Sequence, residues 1–259
     1  RVPEGYTYVS PGENINNVFN RLKNDETATD IKLFLKAGTT YQFVAKTLDD
    51  MPMGLSIMGQ EPKEGENLAV LELKSSLSVS STDDIEAFRF EKVDAQDFFK
   101  FKNQEFHIGT ISWKNCEIND LQRTMWYQGV DAAQKQTVNK IVIEDCRFFG
   151  LNSGESGLFG LASQDAPVHN FEFRNSTFHA NDLNNALITR LGAMTGDLNV
   201  TIENCTFIAM KAGMTFFDLG AKSITNGSLT VRNNLFSGAV DSEKGTWFNI
   251  HEKITARIF

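Results

Sequence analysis

The chain has 259 residues, 41% hydrophobic and 22% charged, which is the composition of a folded globular protein and not of a disordered one. Lys and Arg number 25 against 33 Asp and Glu, so the net charge of -8 sets an unfavourable average field for nucleic acid and predicts no nucleic-acid partner. No stretch approaches the roughly 18 uninterrupted apolar residues that cross a bilayer, and Arg1 to Glu4 lack the apolar core of a secretory signal. The reading is a chain with no transmembrane segment and with any targeting segment removed.

Near the start, Ser10 is followed three residues later by Glu13, with Pro11 between them, and Ile15, Val18, Phe19 and Leu22 fall at i, i+3, i+4 and i+7. A capping box ahead of an apolar stripe predicts an amphipathic helix from about Pro11 to Lys23. Ile31, Leu33 and Leu35 then alternate with other residues until Lys36-Ala37-Gly38, the pattern of a half-buried strand closed by a turn. One helix before a strand-rich chain reads as a lid. The expected organisation is an N-terminal segment with a capping helix over 1–30, followed by a single body over 31–259.

That body is repetitive. The segments Ile111–Ile118, Ile141–Phe148, Phe171–Phe178, Val200–Phe207 and Leu229–Phe236 align without gaps as apolar, x, apolar, x, Asn or Asp, small, x, apolar. Their anchors Asn115, Asp145, Asn175, Asn204 and Asn233 are 30, 30, 29 and 29 residues apart. A second strand-like pair follows each anchor, at Trp126-Tyr127, Leu158-Phe159, Ile188-Thr189, Phe216-Phe217 and Trp247-Phe248. Weaker copies occur at Phe88-Arg89-Phe90, Leu55-Ser56-Ile57 and Leu33-Phe34-Leu35, so the solenoid is expected to begin near residue 31. The reading is all-β: a right-handed parallel β-helix of about eight coils, on the order of 40 Å long at roughly 4.8 Å per coil. A leucine-rich repeat fits less well, because Asn follows the second apolar residue by two and Leu is not favoured.

Stacked coils place like over like. Ile118, Phe148, Phe178, Phe207 and Phe236 then form one inward column, and Cys116, Cys146, Ser176, Cys205 and Asn234 a second. Asn at the bend tolerates the left-handed backbone and can bond its own kind in the next coil. Outward, Lys114, Glu144, Arg174, Glu203 and Arg232 alternate in sign, as do Glu117 and Arg147, which is what pairing between adjacent coils favours. The three cysteines are expected to be buried free thiols, since an in-register parallel pair is badly placed for disulfide torsions.

With its helix, its Ile31–Tyr41 and Leu55–Gly59 segments and its Asn-Cys-x-Phe coils, the chain resembles the pectate-lyase-like β-helix superfamily. Within it, the nearest likeness is to uncharacterised β-helix lipoproteins encoded beside polysaccharide-utilisation genes in Bacteroidetes. The resemblance implies a secreted or outer-surface protein, lipid-anchored through a removed N-terminal segment, whose partner is a polysaccharide or oligosaccharide. Fold alone transfers no reaction. The motifs of pectin esterases and polygalacturonases are missing, and so are the Asp-rich clusters that would hold Ca²⁺ in a lyase; no cofactor or metal is expected, Ca²⁺ entering only if the protein is a lyase.

The residues left for a glycan lie on the second strand of each coil. If Phe159, Thr189, Phe217 and Phe248 point inward, then Trp126, Leu158, Ile188, Phe216 and Trp247 face out beside Gln128, Gly160, Arg190, Asp218 and Asn249. Flat apolar groups beside hydrogen-bonding ones suit sugar faces, which predicts Trp126, Gln128, Arg190, Phe216, Asp218, Trp247 and Asn249 as glycan contacts. The opposite register, or loops over this face, would leave no such ridge. Arg190 and Asp218 are the weak catalytic candidates of a lyase or esterase alternative, although pairing with each other explains them as well. A structural or adhesive stalk is the third reading. His107, His169, His179 and His251 lack metal-site spacing and are assigned to loops. The final Ile254–Phe259 segment stops where another coil should begin, with no polar cap, which predicts that a C-terminal extension or a partner covers it.

Overall fold

The computed structural model describes residues 1–25, 27, 30–43, 54–73, 84–96, 99–100, 106–119, 126–128, 136–151, 158–161, 168–179, 188–190, 196–208, 215–220, 224–238 and 246–259. These form three parallel sheets wound as a solenoid. The first sheet has ten strands, running from Thr7–Val9 through Ile31–Leu35, Gly54–Gly59, Asp84–Glu91, Phe106–Lys114, Gln136–Glu144, Val168–Arg174, Gly196–Glu203 and Ile224–Arg232 to Ile254–Ile258. The second has eight, from Thr40–Phe43 to Leu235–Ser237, and the third six, from Phe99–Lys100 to Thr246–Ile250. The expected β-helix is therefore present, but the count of about eight equal coils is corrected: the third sheet supplies a wall to only six coils among the described residues. No described helix is long and apolar enough to cross a membrane.

The corner between the first and second sheets is the anchor of each repeat. Asn115, Asp145, Asn175, Asn204 and Asn233 have φ between 51° and 54°, the left-handed conformation that Asn and Asp tolerate best after Gly. Each bend then hands its N–H to the next coil: Asn115 donates to the carbonyl of Glu144, Asp145 to Arg174, Asn175 to Glu203 and Asn204 to Arg232, at 3.0–3.1 Å. The link between bends is thus main-chain, where the sequence had suggested the Asn side chains. A sixth bend was not foreseen. Lys92 has φ 53° and donates to the carbonyl of Lys114, so a residue with no special liking for this conformation is held there by the stack.

Inside, the predicted columns are realised. Phe148, Phe178, Phe207 and Phe236 stack with centroids 4.4, 5.0 and 5.1 Å apart and planes within 20°. Beside them Cys116, Cys146 and Cys205 are buried free thiols. Each thiol donates to the carbonyl two residues earlier in its own coil, at 3.2–3.3 Å. Ser176 fills the same place, donating to the carbonyl of Arg174 and accepting the N–H of Cys146. Asn234 does this at the last bend, accepting from the N–H of Cys205 and donating to the carbonyl of Ile202. A polar column can run through the core because every member is hydrogen-bonded. Burial pushes the Cys205 thiol up to about 11, and raises that of Cys146 well above the usual range.

On the outside, Lys114 pairs with Glu144 at 3.9 Å, Arg174 with Glu203 at 3.3 Å, and Arg147 with Glu117. Glu91 lies level with Lys114 and extends the alternation by one coil.

The N-terminal segment needs two corrections. The helix is shorter than predicted, Ile15–Lys23, with Asn14 as its cap. Glu13 does reach back to the N–H of Ser10, but Gly12 at φ 83° turns the chain there, so the box closes a turn ahead of the helix. The solenoid also starts earlier than residue 31, because Thr7–Val9 pairs in parallel with Ile31–Leu35. Tyr8 then covers Phe34, which buries a residue expected on the wet side of a half-buried strand. The helix does act as a lid: Ile15, Val18 and Phe19 are buried, and Phe19 meets Phe43 edge-on at 5.4 Å.

Candidate functional site

The third sheet does not carry the expected ridge. Its register pairs Trp126 with Phe159, Phe159 with Ile188, Ile188 with Phe217, and Phe217 with Phe248, so the second-strand alignment was displaced by one residue in three coils. Leu158, Ile188 and Phe216 are buried, and Phe216 is therefore withdrawn as a glycan contact. The physical reason is a corner: Phe216 turns into the space between two sheets and meets Phe207, Phe217 and Trp247 edge-on at 4.9–5.4 Å. Trp247 packs on Phe236 at 4.7 Å, half-buried as the margin of the core and not as an open platform. What this face presents is a polar pair, with Asn249 donating at 3.0 Å to Asp218, which also accepts the N–H of Gly220. Trp126, Gln128 and Arg190 lie on strands of this sheet, but their side chains lie outside the described residues. With Ile188 level with Phe217, Arg190 is not level with Asp218, so the register does not bring the two catalytic candidates together.

A different surface has the shape of a site. Along the first sheet, Ile85, Ile108, Val138 and Val168 pair in register, and so do Ala87, Thr110, Lys140 and Asn170. Between these two lines Glu86, Gly109, Asn139 and His169 are left out of the ladder pairing. Two residues instead of one therefore separate the flanking inward positions Ile108 and Ile111, Val138 and Ile141, and Val168 and Phe171. An unpaired level repeated in successive coils interrupts the ladder at the same place in every strand, without any shift of register, and re-aims the side chains there. The line makes a groove across the coils. One part, about 500 Å³, is lined by Glu86, His107, Gly109, Thr137, Asn139 and His169. The next, about 470 Å³, shares Asn139 and His169 and adds Asn170, Gly196, Asp197 and Asn199. Five strands contribute, four steps of about 4.8 Å, so the groove is roughly 19 Å long.

Glycine makes the kink feasible. A Cβ on Gly109 would stand 2.4 Å from the carbonyl oxygen of Glu86, and one on Gly196, at φ 98°, would press on the His169 ring at 3.3 Å. The ladder shifts register between Gly196 and Asp197, where the line of unpaired residues ends.

The groove floor is a ladder of amides. Asn170 donates to the carbonyl of Asn139 at 2.8 Å, Asn199 donates to the side-chain carbonyl of Asn170 at 3.3 Å, and Ser228 donates to that of Asn199 at 2.8 Å. His169 Nδ1 lies 2.9 Å from the carbonyl oxygen of Asp197. A carbonyl only accepts, so Nδ1 carries hydrogen and Nε2 of the neutral ring is left as an acceptor. Asp197 accepts from the hydroxyl of Thr225 at 3.2 Å, and His107 Nδ1 meets the Thr137 hydroxyl at 2.6 Å. Donors and acceptors thus alternate at coil spacing along a shallow trough, which can hold a chain of hydroxylated rings. His107, His169 and His179 lie on strands and not in the loops to which they were assigned.

None of these amides was expected from the sequence to be a glycan contact. The signal lay one residue upstream of the aligned segments, where Thr110, Lys140, Asn170, Asn199 and Ser228 form a polar column. A second concavity, about 610 Å³, lies by the bends and is lined by Glu66, Asp94, Glu117, Asp145 and Arg147 among others. Its Glu117–Arg147 pair was foreseen as a ladder contact. Among the described residues no group of three His, Cys, Asp or Glu side chains is arranged to hold a metal ion.

The family model for the right handed beta helix region matches residues 103–256, more than half of the chain. No curated protein and no solved structure matches it. With that match over more than half of its length and parallel strands wound as a solenoid, the chain belongs to the right-handed β-helix family.

Proposed function

We propose that the protein binds a polysaccharide outside the cell, laying the sugar chain across the coils in the groove of Asn139, His169, Asn170, Asp197 and Asn199. The observation that carries this reading is the match between the groove and its ligand. Side-chain amides recur at the coil spacing on three successive coils, at Asn139, Asn170 and Asn199, within a trough about 19 Å long; a pyranose ring is about as long as that spacing, and the trough is open enough to take a polymer from the side. Membership of the β-helix family supports it, as does the resemblance to proteins that handle plant-type polysaccharides. The extracellular location is part of this proposal and rests on the resemblance to exported β-helix proteins. The reading is of binding, and no reaction is assigned.

A pull-down with a panel of insoluble polysaccharides tests it. At least one should retain the protein, and retention should be lost in the double variant His169→Ala with Asn199→Ala while surviving in Asn249→Ala on the third sheet. Equal retention of all three proteins would place the site elsewhere.

A further inference from the structure

We infer that the ligand of this groove is a neutral glycan and not a polyuronate; this rests on the glycan reading above and narrows it. Among the described residues neither part of the groove is lined by a lysine or arginine, whereas both contain a carboxylate, Glu86 in one and Asp197 in the other. Two cations on the flanking strands are already paired with carboxylates. Lys140, level with Asn170, turns along the sheet to Glu172 at 3.3 Å, and Arg89 sits against Glu86 at 3.3 Å, so it neutralises that carboxylate and adds no net positive charge. Asp197 accepts the hydroxyl of Thr225, an uncharged donor.

A polyuronate would bring a carboxylate on every sugar into a trough whose own charge is negative, on a chain of net charge -8. Its desolvation would meet no compensating cation, and its approach would meet repulsion. Amides, a hydroxyl and imidazoles instead offer what uncharged rings present: hydroxyls that both donate and accept. The amide ladder supplies both senses, since each Asn has a donor end and an acceptor end, and Nε2 of His169 adds an acceptor.

Affinity electrophoresis of the intact protein in gels containing xylan, a mannan, a β-glucan or polygalacturonate tests the inference, each gel run with EDTA and again with calcium. Retardation is expected in at least one neutral gel, weakened tenfold or more by Asn170→Ala or His169→Ala, with none in polygalacturonate. The double variant Asn170→Lys with Asn199→Lys should gain retardation in polygalacturonate that declines as salt is raised. Retardation of the native protein by polygalacturonate as strong as by the neutral polymers, with or without calcium, would overturn the neutral class and leave glycan binding standing. Retardation by none of the polymers would overturn both, and neutral binding that ignores Asn170→Ala and His169→Ala would move the site off this groove.

Discussion

His169 on one coil donates from Nδ1 to the carbonyl of Asp197 on the next, at 2.9 Å, and Gly196 makes room for the ring. The imidazole is thereby held by the main chain. His169→Ala removes a partly exposed side chain, so stability should stay within about 0.5 kcal/mol while polysaccharide affinity falls. Gly196→Ala should act through the backbone: at φ 98° an L side chain is strained and crowds the ring, with about 1–3 kcal/mol of stability lost together with affinity. Urea unfolding beside a binding isotherm separates the two.

Phe178 is the middle of the inward ring stack, fully buried, 4.4 Å from Phe148 and 5.0 Å from Phe207. Truncating it opens a cavity whose walls are held apart by two coils. Phe178→Ala should cost about 3–5 kcal/mol, read as a fall in the urea midpoint. A loss below about 1 kcal/mol would mean the stack does not carry the core.

Lys92 occupies the left-handed bend that Asn or Asp occupies in the five coils after it. Lys92→Asn should therefore stabilise the fold, and Asn175→Ala should destabilise it by about 1–2 kcal/mol. The exposed ion pair that Lys92 makes with Glu61 at 2.8 Å offsets only a little of the first effect. Thermal melts of the two variants should move in opposite directions.

The buried thiols give a pH signature. Cys205, pushed up to about 11 by burial, keeps its proton in the folded chain, whereas the same thiol in the unfolded chain ionises near 8.5. The folded state then binds the proton more tightly, so the stability this group contributes is intact below about pH 8.5 and is lost as pH rises towards 11. A thiol reagent at pH 8 should label none of Cys116, Cys146 and Cys205 in the native protein, and all three in urea. Cys205→Ser should flatten the alkaline slope of stability.

The repeat was readable because stacking makes each coil choose the same residue type at the same place: the Phe column, the thiol column and the alternating charges from Lys114 to Arg232 all follow from that. The third sheet was not readable in the same way. Leu158 with Phe159, and Phe216 with Phe217, are consecutive and both buried, because the first of each pair turns into a corner. Alternation, the rule used to choose the outward residues, fails where a strand begins at a bend. The groove was hidden for a related reason. Its line of unpaired residues at Glu86, Gly109, Asn139 and His169 breaks the period-two pattern ahead of the apolar motif, so an alignment built on apolar positions starts just after it. Lys92 was missed as a bend because its own preferences do not mark it; its neighbours impose the conformation.

A crystal structure of the protein with a bound oligosaccharide would locate the sugar. Ordered sugar rings should run across the coils over Asn170 and Asn199, with a hydroxyl donating to Nε2 of His169. Sugar density over Asp218 and Asn249, or in the bend cavity beside Glu117 and Arg147, with the groove left to solvent, would contradict this placement.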